Sequence, residues 1–121
     1  MFEIIIGNRG VGKTTELIKK SAETGVHILV PTAMHANELY DRAKQMGLSI
    51  PDSITIEEYF TIDVFQDTSI VSQGVYIDDA ELVLQNLLGG IPIRSITLTR
   101  RGNVVDLGSK MKGEKYGSER L

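Results

Sequence analysis

At 121 residues and a formal net charge of −3, the chain has the size and balance of one ordinary domain. It contains no cysteine, which excludes disulfides and cysteine-ligated zinc. No apolar run approaches the roughly 18 residues of a membrane span, and Glu3 and the early glycines interrupt the stretch a signal peptide needs, so a cytoplasmic protein with no membrane partner is expected.

In chain order, FEIII (2–6) is a short β-branched apolar run closed by Gly7, the pattern of a buried strand. A helix is expected from Lys13 to about Glu23, with Leu17, Ile18 and Ala22 facing inward and Gly25 at its C-terminal end. HILV (27–30) reads as a second buried strand, and after Pro31 a helix is expected over 33–46, its inner stripe being Ala36, Leu39, Tyr40 and Ala43. SITI (53–56) is a third candidate strand, with EEYF opening a short helix, while 61–74 lacks a sustained period and reads mostly as loop. VYID (75–78) is a strand, and DAELVLQNLL (79–88) a helix with Leu82, Val83 and Asn86 to Leu88 on its face. The alternation in IRSITLT (93–99) predicts the last main strand, and a further short one is open at Asn103 to Leu107. Strands alternating with helices predict an α/β fold with a mostly parallel sheet of about five strands.

Charge is unevenly distributed. Residues 1–93 carry six Lys/Arg against thirteen Asp/Glu, whereas 94–121 carry seven against three. The expected organisation is a folded domain over 1–108 and a basic, flexible tail over 109–121. The tail is a candidate for touching nucleic acid or simply a solvated end.

Gly7, Asn8, Arg9, Gly10, Val11, Gly12, Lys13 and Thr14 complete the pattern G-x-x-x-x-G-K-[ST] of the phosphate-binding loop (Walker A), between an apolar strand and an amphipathic helix. The residue types follow from the ligand. A triphosphate wrapped by backbone N–H groups needs a tight bend without Cβ clashes, which favours glycine. The helix that begins at Lys13, with Thr15 in its first turn, adds N–H groups and the positive end of its dipole. Lys13 is suited to the β- and γ-phosphates of ATP, and the Thr14 hydroxyl to Mg²⁺.

The metal also needs a carboxylate at the end of a neighbouring buried strand. Asp78, closing VYID, is the candidate (Walker B), with helix capping as the alternative use of the Asp78-Asp79 pair. For hydrolysis, Asp79 or Glu81 is the candidate to orient or activate water. Asp79 is one methylene shorter than the Glu that many P-loop ATPases place there, so slow hydrolysis, or binding without turnover, stays open. Thr97, Thr99, Arg100 and Arg101 lie at the end of the expected last strand, where a polar residue can sense the γ-phosphate and an arginine can act in cis or on a neighbouring subunit. His27 and His35 are too isolated for a metal site; His27 reads as a half-buried strand residue and His35 as an exposed helix residue.

These residues resemble the first motor domain of superfamily-one DNA helicases. GNRGVGKTT resembles that family's phosphate loop, VPTAMHANEL (30–39) its A-P-T-x-x-A-A-x-x-L segment that contacts single-stranded DNA, SITIEEYF its T-I-H-S-F region, and VYIDDAELV its D-E-A stretch. The resemblance spans residues 4–83 and is most specific at the phosphate loop. It implies a three-layer, RecA-like P-loop nucleoside-triphosphatase core with the Thr97 strand between the phosphate-loop and Asp78 strands.

Departures limit what it implies. Glu57 stands where the family has the T-I-H histidine, Asp79 replaces the catalytic Glu, and the glutamine-bearing motif, the G-D-x-x-Q run and a second motor domain are missing. An ATPase module that assembles with itself or with a replication protein is therefore expected rather than a complete helicase, similar to compact P-loop proteins common in bacteriophage genomes. GKTTELIKK is also similar to the G-K-S-T-E-L-I-R-R run of type II thymidine kinases, although that family's zinc lasso needs cysteines. A nucleoside kinase and a non-hydrolysing, nucleotide-gated assembly subunit are the alternatives.

Overall fold

The computed structural model describes residues 2–61 and 68–108. The chain divides into two compact units, one formed by residues 14–94 and the other by the described residues on either side of them. Both are α/β or parallel β in character, and among the described residues all strand pairing is parallel.

In the 14–94 unit, strand order follows from burial. β2 (Ile28–Val30) is central, with β3 (Ile54–Thr55) on one side and β4 (Tyr76–Ile77) on the other. Ile28 and Val30 are almost completely buried, as expected of a β-branched strand covered by helices. The first of those helices, α1 (Lys13–Thr24), presents Leu17, Ile18 and Ser21 to the core. Ser21, not Ala22, is the third inward residue. Its hydroxyl donates to Val26 O at 2.6 Å, which satisfies the buried polar atom and fixes the turn into β2. α2 (Ala33–Gln45) buries Leu39 and Ala43. Each fully buried Ile or Leu here contributes roughly 1.5–3 kcal/mol through removal of its surface from water.

Local chemistry sets the element ends. Thr32 caps α2, its hydroxyl accepting from His35 N at 3.2 Å. At α3 (Ile56–Thr61) the capping is reciprocal: Glu58 N donates to Thr55 Oγ1 at 3.0 Å, and Thr55 N donates to Glu58 Oε1 at 3.1 Å. This capping box is written in the sequence as T-I-E-E.

Several expectations are corrected. Tyr40 lies on the outer face of α2, 56% exposed, with the Lys44 ammonium 5.9 Å from its ring centroid; its amphipathic ring is tolerated beside a cation, so it was free to leave the stripe. Residues 68–73 form a short helix, α4 (Thr68–Gln73), in a stretch read as loop. Such a one-and-a-half-turn helix has too few apolar positions to show a period. In α5 (Ala80–Leu87) only Val83 is buried, while Leu82 and Leu87 are more than a third exposed.

In the other unit, β1 (Ile4–Ile6) pairs with β5 (Val104–Asp106) in the register Ile4 with Val104 and Ile6 with Asp106. Backbone bonds from Ile4 N to Asn103 O (2.9 Å) and from Leu107 N to Ile6 O (2.9 Å) extend the ladder at both ends. The short strand left open at 103–107 is thus present. The strand expected over 93–99 is not: residues 91–103 carry neither helix nor strand. Ile96 and Leu98 are 56% and 60% exposed. Alternation supplies a face to bury but not a ladder partner, and within its unit β1 takes its partner from 104–106 instead. The described strands form a two-stranded parallel ladder in this unit and a three-stranded one in the 14–94 unit. Thr97, Thr99 and Arg100 stand on the irregular segment, all exposed. The expected tail, 109–121, lies outside the described residues, and among the described residues no helix is long and apolar enough to cross a membrane.

Candidate phosphate and metal site

The loop over Gly7–Lys13 is bent by its own sequence. A Cβ on Gly7 would stand 2.6 Å from Val11 Cγ2, 3.2 Å from Gly108 O and 3.3 Å from Leu107 Cβ, so no side chain fits where the loop leaves β1. Gly12 holds φ +104°, a conformation other residues rarely adopt, immediately before the helix begins. The loop is tied down by Asn8 N donating to Gly108 O at 3.0 Å and Val11 N donating to Asn8 O at 3.3 Å. Those two N–H groups are engaged with carbonyls of the chain and support the bend of the loop.

Lys13 folds back over the same loop. Its ammonium donates to Gly7 O at 2.6 Å and to Asn8 O at 2.8 Å. The positive charge is thereby carried at the loop itself, on a flexible stem with three donors that can be redirected to an anion. Arg9 and Gly10 form the exposed part of the bend, and Val11 and Gly12 are half-buried.

Inside the 14–94 unit, a second cluster forms around Asp78. This carboxylate follows β4 directly, 5% exposed, and is set by its backbone N donating to Leu29 O at 3.1 Å. Thr14 Oγ1 donates to both of its oxygens, at 3.2 Å each, although the two residues are 64 positions apart in sequence. His35 Nε2 donates to Asp78 Oδ2 at 2.7 Å. Thr15, next to Thr14 in the first turn of α1, is half-buried.

His35 is the residue that sequence reasoning misplaced. It is half-buried and bonded to the candidate metal carboxylate, not an exposed helix residue. The signal was present only in combination. Thr32 fixes the first turn of α2 one residue after β2 ends, and β2 is the ladder neighbour of β4, whose end carries Asp78. Strand order was not readable from the sequence, so neither was this contact. His27 is half-buried just before β2, with Nδ1 2.7 Å from Asp52 O.

Asp79 and Glu81 flank the cluster in sequence. Asp79 adopts φ 59°, ψ 65°, in the left-handed region, and its side chain accepts from Leu82 N at 3.4 Å as the cap of α5. Of the two aspartates, then, it is Asp79 and not Asp78 that caps the helix. Glu81 is exposed in the first turn of α5, where its charge complements the helix dipole. Arg100 is exposed in the other unit.

The donor set suits a hard cation. A hydroxyl and a buried carboxylate are oxygen ligands, and Mg²⁺ is typically held by one or two protein oxygens together with phosphate and water. Among the described residues no group of three or more His, Cys, Asp and Glu side chains could hold a metal ion. No family model, no curated protein and no solved structure matches the chain.

Proposed function

We propose that this chain is a Mg²⁺-dependent, ATP-binding P-loop protein of RecA-like type. In this reading it hydrolyses ATP in nucleic-acid metabolism, as an accessory to replication or recombination. The observation that carries the proposal is the meeting of Thr14 and Asp78. The first was picked from the sequence as the hydroxyl of a phosphate loop and the second as the carboxylate at a strand end; their oxygens lie 3.2 Å apart.

The roles follow from the chemistry of each group. Lys13 exchanges its loop carbonyls for the β- and γ-phosphate oxygens, a charge-assisted contact stronger than the neutral one it replaces. Glycines at 7, 10 and 12 let the backbone approach the phosphates closely. Thr14 and Asp78 hold Mg²⁺, which when bound neutralises charge on the phosphates. Glu81, or Asp79 once released from its cap, orients the attacking water, and Arg100 serves the phosphates in cis or on a neighbouring copy.

One observation favours a second reading. Asp79 occupies the position of the usual catalytic glutamate yet is engaged as a helix cap. A protein so built binds nucleotide and hydrolyses it slowly or not at all, as a nucleotide-gated assembly subunit would.

A phosphate-release assay with ATP and Mg²⁺, with and without single-stranded DNA, tests the proposal. Release that requires Mg²⁺ and disappears in Asp78→Asn supports the ATPase. Nucleotide-dependent change in oligomeric mass with no release assigns the assembly subunit, and label passing from ATP to added thymidine assigns the kinase.

A further inference from the structure

The contact between His35 and Asp78 has a consequence for the metal ligand itself. An aspartate carboxyl turns broadly about its terminal torsion, so a buried Asp beside a hydroxyl does not by its position alone present one chosen oxygen. Here the 2.7 Å bond from His35 Nε2 takes Oδ2, while Thr14 Oγ1 lies 3.2 Å from both oxygens. With Oδ2 engaged by the imidazole, Oδ1 remains beside Thr14.

The backbone that carries the imidazole is fixed at the start of α2. His35 N donates to Thr32 Oγ1 at 3.2 Å, and Ala36 N donates to Thr32 O at 3.1 Å, so the first turn of α2 is closed around its cap. The other end of the arrangement is equally fixed, because Asp78 N is bonded to Leu29 O of the central strand. Two anchored backbones thus meet through one short side-chain bond.

We propose that His35 is a positioning residue for the Mg²⁺ ligand Asp78, orienting its carboxylate so that one oxygen faces the metal beside Thr14. This rests on the functional reading given above. It adds a residue that neither the phosphate-loop pattern nor the strand-end carboxylate specifies, and it places the first turn of α2 among the determinants of metal affinity. Partners that orient a ligating carboxylate typically contribute 10–100-fold to metal affinity. Nε2 of glutamine reaches about where Nε2 of histidine does and is also an N–H donor, so His35→Gln retains the bond that His35→Ala removes.

The experiment measures ATP binding to the full chain by calorimetry, in EDTA and across a Mg²⁺ series, with thermal melting of each variant in parallel. The expected result is that His35→Ala raises the Mg²⁺ concentration for half-maximal enhancement about tenfold. Its ATP affinity in EDTA stays close to wild type, its melting temperature falls by a few degrees because a nearly buried carboxylate loses a donor, and the Mg²⁺ midpoint of His35→Gln falls within about threefold of wild type. A second variant, Thr32→Ala, loosens the turn that carries His35 and shifts the Mg²⁺ midpoint in the same direction by a smaller factor. Equal midpoints for wild type and His35→Ala overturn the inference. So does a loss of ATP affinity of the same size with and without Mg²⁺, which marks a general structural role. A wild-type protein whose ATP binding shows no Mg²⁺ dependence overturns the functional reading first, and is recognised before any variant is compared.

Discussion

Asp79 offers a sharp test because its two structural roles make opposite demands on the replacement residue. It sits at φ 59°, ψ 65° and caps α5 through a 3.4 Å bond to Leu82 N. Left-handed backbone costs an ordinary L-residue roughly 1–2 kcal/mol, less for Asp or Asn, and nothing for glycine. Loss of a cap to alanine costs about 0.5–2 kcal/mol, and to glycine a few tenths; the long, exposed bond here argues for the lower end. Asp79→Ala therefore loses about 0.5 kcal/mol of capping and a further fraction to backbone strain, about 1 kcal/mol in all. Asp79→Gly loses the cap but is relieved of the strain, which roughly offsets the extra freedom of its unfolded chain. Asp79→Asn keeps both the cap and the tolerance of that conformation. The expected order of stability is Asp, Asn and Gly together, with Ala lower by about 1 kcal/mol, or roughly 4 °C in melting temperature for a chain of this length. At an ordinary helical position the order of Gly and Ala is the reverse. Circular-dichroism melts of the four proteins decide it, and an alanine variant as stable as the glycine variant would refute the backbone argument. Phosphate release by Asp79→Asn then reads the catalytic role separately, since that variant leaves the fold unchanged.

Two further outcomes follow from the loop and the charge distribution. Gly7→Ala should destabilise the protein by about 1–3 kcal/mol through overpacking against Val11, Leu107 and the Gly108 carbonyl; in the double variant with Val11→Ala the worst contact is removed, and chemical denaturation should show partial recovery. Binding of single-stranded DNA, if carried by the basic residues after 94, should weaken steeply between 50 and roughly 200 mM salt and fall on deletion of 109–121. Filter binding with the truncated chain checks this, and undiminished binding dismisses the tail.

How far the sequence revealed this architecture depends on what each element needed. β1, α1, β2 and α2 were legible because apolar runs and helical periods coincide with end signals such as Gly7, Gly25 and Gly47. Thr14 and Asp78 were legible as a pair because the phosphate-loop pattern calls for a loop hydroxyl and a strand-end carboxylate close together, and the two side chains are hydrogen-bonded at 3.2 Å. The segment 93–99 misled because alternation reports a two-sided chain, whereas a strand also requires a neighbour with free backbone groups. α4 was too short to show a period, and the capping box at Thr55 and Glu58 was overlooked although its spacing was visible. His35 depended on strand order, which follows from packing and not from local pattern. The use of Asp79 as a cap was weighed in the sequence for the pair of aspartates, but only backbone geometry separates the two.

The central claim is that the Gly7–Thr14 loop holds the phosphates of a nucleotide. Calorimetric titration of ATP into wild type and Lys13→Ala, both in Mg²⁺ and with folding verified by circular dichroism, tests it most directly. Wild type should bind ATP saturably and the variant should lose at least about 100-fold in affinity, or roughly 3 kcal/mol, since the lysine's charge-assisted contacts to the phosphates are removed. Equal affinity of the two proteins for ATP would contradict that claim.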